Sequence, residues 1–452
     1  MDIVLNILKN ILSEPSILMG LIAFVGLILL KEDKTKILVG TVKPIAGYMM
    51  LGVGAGVIVS NLEPLGKIIQ FAFNIQGVIP NNEAIVAVAQ KVLGFETMLI
   101  LIVGFASNLI IARITKFKYI FLTGHHSFFL AALLSAVLQA TGMVGSELVL
   151  IGGFLLGAWS SISPAIGQRY TDKVTDNDGI AMGHFSSLGY YLSAFIASKF
   201  GNAKDSFSDN DVPEKWNFLS DTTITTSIIM VLIYTICSFF AGSDYIATIS
   251  DKGIILFSVM SGIGFAVGVT IVYNGIRLIL SELIPAFQGI SDKLIPNSIP
   301  AVDCAVFFTY SPTAVIVGFI SSFLGGIVAL IALGGIGAAL IIPGMVPHFF
   351  CGGTAGVYGD KLGGKKGCIA GAFINGLLLG FLPALLLPVL GNLGFANTTF
   401  GDVDFTLMGI ILGYSNNFIG QTGIYLVTIV FAITLIVPSL FSKKQIVGMS
   451  KN

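Results

Sequence analysis

The residues able to do chemistry in this chain are few. The stretch Gln288–Ala305, QGISDKLIPNSIPAVDCA, places Asp303 at the mouth of the apolar run Ala305–Phe308. Pro296 and Pro300 lack backbone donors and clash with a preceding helical turn, so this stretch cannot be an ordinary spanning helix. A carboxylate entering hydrocarbon costs about 2.5–3.5 kcal/mol on insertion scales, which asks for a reason. Broken backbone with a carboxylate at membrane depth is how transporters hold solutes. The structural alternative is a re-entrant loop whose Asp303 only caps the next helix.

Histidines supply the partners. Thr123-Gly124-His125-His126-Ser127 opens an apolar segment, where an imidazole can donate to a solute hydroxyl; at a helix end it can equally be an interfacial residue, the reading that suits His126 best. His184 follows the acidic loop Asp172–Asp178 among small residues, as at the tip of a hairpin, and His348 beside Pro347 reads as a packing contact. The histidines and carboxylates lack HExxH-type spacing, so no metal and no cofactor are expected. With no P-loop, ATP-driven pumping is not expected either.

The elements positioning these groups are membrane helices. Of 452 residues, 55% are hydrophobic and 11% charged, against about 25% charged in soluble domains. Long apolar runs favour helices over a barrel. The net charge of zero suggests no nucleic-acid partner, and Cys237, Cys304, Cys351 and Cys368 form no CxxC pair. No small-residue cleavage site precedes Leu30, so no cleaved signal is expected.

Eleven spans are expected, near Ser16–Leu30, Thr41–Ser60, Glu96–Ala112, Tyr119–Ala140, Glu147–Ala165, Thr222–Phe240, Ile254–Ile276, Tyr310–Ala329, Leu333–Phe350, Cys368–Leu390 and Phe418–Leu440. Glu63–Ile75, Gly179–Phe200, Ile279–Asp303 and Phe405–Asn417 are too short or too polar to cross, and read as interface helices or re-entrant hairpins. With the N-terminus outside and the C-terminus cytoplasmic, only Lys9, Lys67, Lys91 and Lys252 of the 24 basic residues lie outside, as the positive-inside rule requires. Val78-Ile79-Pro80-Asn81-Asn82 is similar to Leu294-Ile295-Pro296-Asn297-Ser298. That match suggests inverted repeats over about 16–200 and 222–417, with a final helix at 418–440, in one permease domain spanning 1–452.

The segments TGH (Thr123–His125), GH (Gly183–His184), FQGISDKLIPNSIPAVDCA (Phe287–Ala305), IIPGMVPHFF (Ile341–Phe350) and KILVGTVKPIAGYMMLGVGAG (Lys36–Gly56) resemble the ascorbate-type IIC permease of the bacterial phosphotransferase system. The resemblance implies an all-α polytopic fold of eleven transmembrane helices with inverted repeats and re-entrant hairpins, assembled as a homodimer in the bacterial cytoplasmic membrane. It further implies a solute carried inward and phosphorylated by a partner IIB protein, supplied in turn by IIA, with no phosphoryl-carrying residue on this chain. His125, His184 and Asp303 match ligand positions of the family. Phe129 and Phe185 stand where its ascorbate binders carry glutamine, and Asn82-Glu83 where they carry Thr-Tyr. The expected solute is therefore ascorbate or a related sugar acid or polyol, with Asn82 and Glu83 as further polar contacts and Phe129 and Phe185 as an apolar wall. The competing class is an ion-coupled transporter using Asp303 and Glu83.

Overall fold

A computed structural model describes residues 15–73, 77–207, 222–391, 393 and 398–441. The apolar runs become long helices. Helix α1 is Pro15–Leu29 and α2 is Lys34–Ala72, capped by Asp33, whose carboxylate accepts from the Thr35 and Lys36 amides. The 39 residues of α2 extend about 58 Å at 1.5 Å per residue, about twice the ~30 Å of hydrocarbon. This helix passes through Pro64, so Glu63 onward is its end rather than a separate interface helix; the bond lost at proline is tolerated in a helix supported along its length by a neighbour.

Strand β1 (Ile79–Pro80) leads into α3 (Asn82–Ile114), which is non-helical at Leu93. Strand β2 (Tyr119–Phe121), α4 (Gly124–Ala140), α5 (Gly145–Val174), β3 (Ala181–Met182) and α6 (Ser187–Phe200) follow. Beyond them come α7 (Thr222–Ala241), α8 (Ser243–Ile249) and the 40-residue α9 (Ile254–Lys293), which packs along α2. Strand β4 (Ile299–Val302), a 3-10 turn at Cys304–Tyr310 and α10 (Pro312–Gly335) come next. A π-turn at His348–Gly352, α11 (Gly353–Leu386), β5 (Thr398–Thr399), α12 (Val403–Ile419) and α13 (Gln421–Phe441) complete the described chain.

Among the described residues, seven helices are long and apolar enough to cross a membrane, or eight if the pair Met230–Ala241 and Ser243–Ile249, bent by 114°, counts as one span. Several expected spans take another form. Tyr119–Ala140 is a strand followed by a 17-residue helix. The expected span Leu333–Phe350 is not a helix: α10 stops at Gly335, and the chain is irregular until Met345, with Gly337 at φ +69° and Pro343 and Gly344 following. Cys368–Leu390 is the latter part of α11, which breaks at Gly364 (φ +65°), a left-handed conformation that glycine adopts without strain.

The strands are short, parallel and interleaved. Strand β4 is central in one sheet, pairing Ile299 with Tyr119 of β2 and Val302 with Met182 of β3. Strand β1 takes the same place elsewhere, pairing with β5 on one side while Val78 bridges Ile341 on the other. Each central strand is thus flanked by strands from the other half of the chain. Pleating turns successive residues to opposite sides, so Ala181 and Ala301 pack with Phe121, Phe185 and Phe405, whereas Met182 and Val302 pack with Tyr190, Phe307 and Phe349. The seam between those two cores carries the polar groups.

Candidate functional site

The site is assembled where three strands of one sheet end. Past β4, Asp303 turns the chain into the 3-10 segment: Oδ1 accepts from the Ala305 amide at 3.1 Å, a cap, while Oδ2 lies 3.3 Å from His125 Nε2. The capping and ligand readings of Asp303 are compatible, since each uses its own oxygen. Past β2, Gly124 starts α4 and brings His125 opposite Asp303, with Nδ1 held 3.0 Å from the Tyr48 hydroxyl. The His125 side chain is 34% exposed and that of Asp303 12%, so this pair is reachable from outside the protein interior.

Past β3, Gly183 lets the chain pass against β4, since a Cβ there would run into the Ala301 carbonyl. His184 follows, buried, with Nδ1 2.8 Å from the Tyr190 hydroxyl. Donor atoms of His184, Asp303 and Cys304 lie within 4.8 Å of one another, so His184 borders the His125–Asp303 pair. The resulting arrangement offers a carboxylate and two imidazoles to a ligand rich in hydroxyls: Asp303 can only accept, and each imidazole accepts or donates by tautomer.

The other expected residues are placed as follows. Asn82 is buried; its amide nitrogen donates to Asp402 Oδ1 at 3.0 Å and its oxygen accepts from the Gly401 amide at 2.9 Å. Phe129 sits edge-on to His125, ring centroids 5.8 Å apart. Phe185 is fully buried, stacked on Phe121 at 4.3 Å and packed against Phe405, which makes it a core residue beneath the site. The side chain of Glu83 lies outside the described residues. His348 is buried against the Ser322 hydroxyl at 2.8 Å, a packing contact as expected, and Cys304 is buried.

Two groups escaped the sequence reading. Asp402 was not singled out at all, yet its Oδ2 lies 3.8 Å from His184 Nε2 and 3.9 Å from His126 Nδ1. His126, read as interfacial, is buried with its ring centroid 3.7 Å from that of His184. The histidine pair was visible as a dipeptide; Asp402 sat in an ordinary-looking FGDVDF stretch with nothing to mark it.

An ascorbate-specific PTS system EIIC component of Mycoplasma pneumoniae is 28% identical over 438 residues, a match that takes in 84% of this chain and 65% of that relative. The chain therefore spans just under two thirds of that relative's length. Residues 10–404, which include β1 to β5, His125, His184, Asp303 and Asp402, match the EIIC-GAT family of PTS system sugar-specific permease components, and the chain belongs to that family.

Proposed function

We propose that this chain is the IIC permease subunit of a phosphotransferase system, taking up L-ascorbate or a related sugar acid or polyol for phosphorylation by a partner IIB protein. The observation that carries the reading is the His125–Asp303 pair at 3.3 Å, partly exposed where two broken segments meet. A solute hydroxyl donating to Asp303 and accepting from His125 replaces that contact with two hydrogen bonds, the one to the Asp303 carboxylate charge-assisted. His184 borders the same pair, and Phe129 beside His125 gives a ring or carbon chain an apolar face. The name of the Mycoplasma pneumoniae relative supports ascorbate as the first solute to try.

Eleven crossings in two inverted repeats, 16–200 and 222–417, with a final helix at 418–440, belong to the same proposal. The interleaved strands support it, with a register of their own. Val78 bridges Ile341 as Ile299 pairs with Tyr119, so Val78 matches Ile299, five residues along from the Leu294 suggested by the IPN likeness. In that register Asn82 takes the place of Asp303, Asp402 that of His184 and His348 that of His126. The N-terminus outside rests on the lysine and arginine distribution, and the IIA and IIB partners and the homodimer on family membership.

The test is uptake of labelled ascorbate and a panel of sugar acids and polyols, with and without phosphorylated IIB. Phosphorylated solute inside, only with IIB and lost in Asp303→Ala at normal protein levels, is the expected result. Unmodified solute accumulating without IIB, and abolished by an uncoupler, would move the chain to the ion-coupled class.

A further inference from the structure

Behind the His125–Asp303 pair lies a second cluster, which shares His184 with the transport reading and adds His126 and Asp402, two groups that reading leaves unused. His126 Nδ1, His184 Nε2 and Asp402 Oδ2 converge in the seam between the two cores, their side chains 5%, 4% and 3% exposed. The three residues come from α4, the turn after β3 and the turn after β5. Their separations are informative. At 3.8 and 3.9 Å the carboxylate oxygen stands too far from either imidazole for a hydrogen bond. It also stands too near for a bridging water, whose two bonds of about 2.8 Å meeting at about 110° span about 4.6 Å. Two metal bonds of about 2.1 Å meeting at a tetrahedral angle of about 110° span about 3.4 Å, so the carboxylate oxygen and each imidazole need close by only about 0.4–0.5 Å to share one ion.

The groups around the cluster set the imidazoles for that role. Tyr190 Oη sits 2.8 Å from His184 Nδ1; with that nitrogen protonated and donating to the phenol oxygen, the Nε2 lone pair is left facing Asp402. The Phe185 amide reaches His126 Nδ1 at 3.4 Å, which marks that nitrogen as unprotonated by a bond long enough for a metal to displace. Asn82 holds the other oxygen of Asp402 at 3.0 Å, an orienting bond that leaves Oδ2 toward the histidines.

We propose that His126, His184 and Asp402 form a binding site for a transition-metal dication, Zn²⁺ foremost, with a fourth coordination position left for water or another oxygen. Two imidazoles and one carboxylate select the borderline metals over Mg²⁺ or Ca²⁺, which favour all-oxygen shells. The site goes beyond the transport reading and does not depend on it, although His184 borders both clusters.

The experiment is metal retention by the full chain, purified in detergent, stripped with chelator and reloaded with Zn²⁺. One Zn²⁺ per chain is expected, unaffected by excess Mg²⁺ and retained in His125→Ala. Affinity should fall at least tenfold in Asp402→Asn and in His126→Phe, which keeps the ring volume next to Phe405. Failure to retain zinc, or equal retention in both variants, overturns the proposal. Should those variants not fold, Co²⁺ loading of the unaltered chain decides. Low-coordinate visible bands without a sulfur charge-transfer band support the site; a hydrated octahedral spectrum, or a sulfur band from Cys304 or from Cys351, whose thiol lies against Asp402, overturns it. Zinc failure with solute binding intact sinks this proposal alone, and solute failure with zinc retained sinks only the transport reading.

Discussion

The surroundings of β4 and of β1 share one plan and differ in what they leave open. Each central strand takes neighbours from the other half of the chain, and each is followed by a polar residue, Asp303 after β4 and Asn82 after β1. Around β4, His125 is a third exposed and Asp303 keeps one oxygen toward it. Around β1, Asn82 is spent on Asp402 and Gly401, and His348 on Ser322, all buried. The same strand arrangement therefore leaves one end with partly exposed hydrogen-bonding groups and makes the other a set of internal ties. Which end does which is decided by whether hydrogen-bonding capacity is already used.

That contrast can be broken most severely at Asp303. In Asp303→Ala the solute loses a charged acceptor, and affinity measured by equilibrium binding should fall about 10- to 100-fold. Protein level should hold and stability should fall by no more than about 0.5–2 kcal/mol, the cost of the lost cap bond to Ala305 and of the contact with His125. The opposite pattern is expected at Asn82. Asn82→Ala leaves buried Asp402 and the Gly401 amide each short of a partner, a loss of about 1–3 kcal/mol seen in thermal unfolding. Equal effects on binding and stability at both positions would erase the distinction between the two ends.

Smaller effects sharpen it. His125→Ala removes one neutral hydrogen bond, so solute affinity should drop about three- to tenfold. Phe129→Gln puts an amide beside His125 where the ascorbate binders of the family carry one. It should shift preference toward ascorbate by about 1 kcal/mol, read as the ratio of affinities for ascorbate and the best polyol. The smallest change is expected at His348, where His348→Gln should leave solute affinity unaltered within error and lower stability by less than about 1 kcal/mol, since an amide can still meet Ser322.

Much of the local architecture could be read from residues alone. Pro296 and Pro300 mark a real break, and Asp303 with His125 and His184 do come together. Misreadings cluster where helices are interrupted or continued against local signals. Leu333–Phe350 is apolar enough to be drawn as a span, but Gly337, Pro343 and Gly344 disrupt it and Ile341 is taken by Val78. Pro64 looks like a boundary, yet α2 runs through it beside α9. The family resemblance sets Phe185 beside the ligand as an apolar wall, whereas the turn between β3 and α6 folds its ring into the core against Phe121 and Phe405.

Composition and order determined that this is a multi-pass helical membrane protein with broken segments bearing an aspartate and two histidines, because hydropathy, missing proline donors and the cost of buried charge are local properties. Only the tertiary structure decided which polar groups are spent and which are free. The partner that uses up Asn82 is Asp402, 320 residues away, and Asp402 is also what faces His126 and His184. No periodicity or spacing along a chain encodes a contact made by strands from opposite halves, since that contact exists only once the helices have packed and brought their broken ends together.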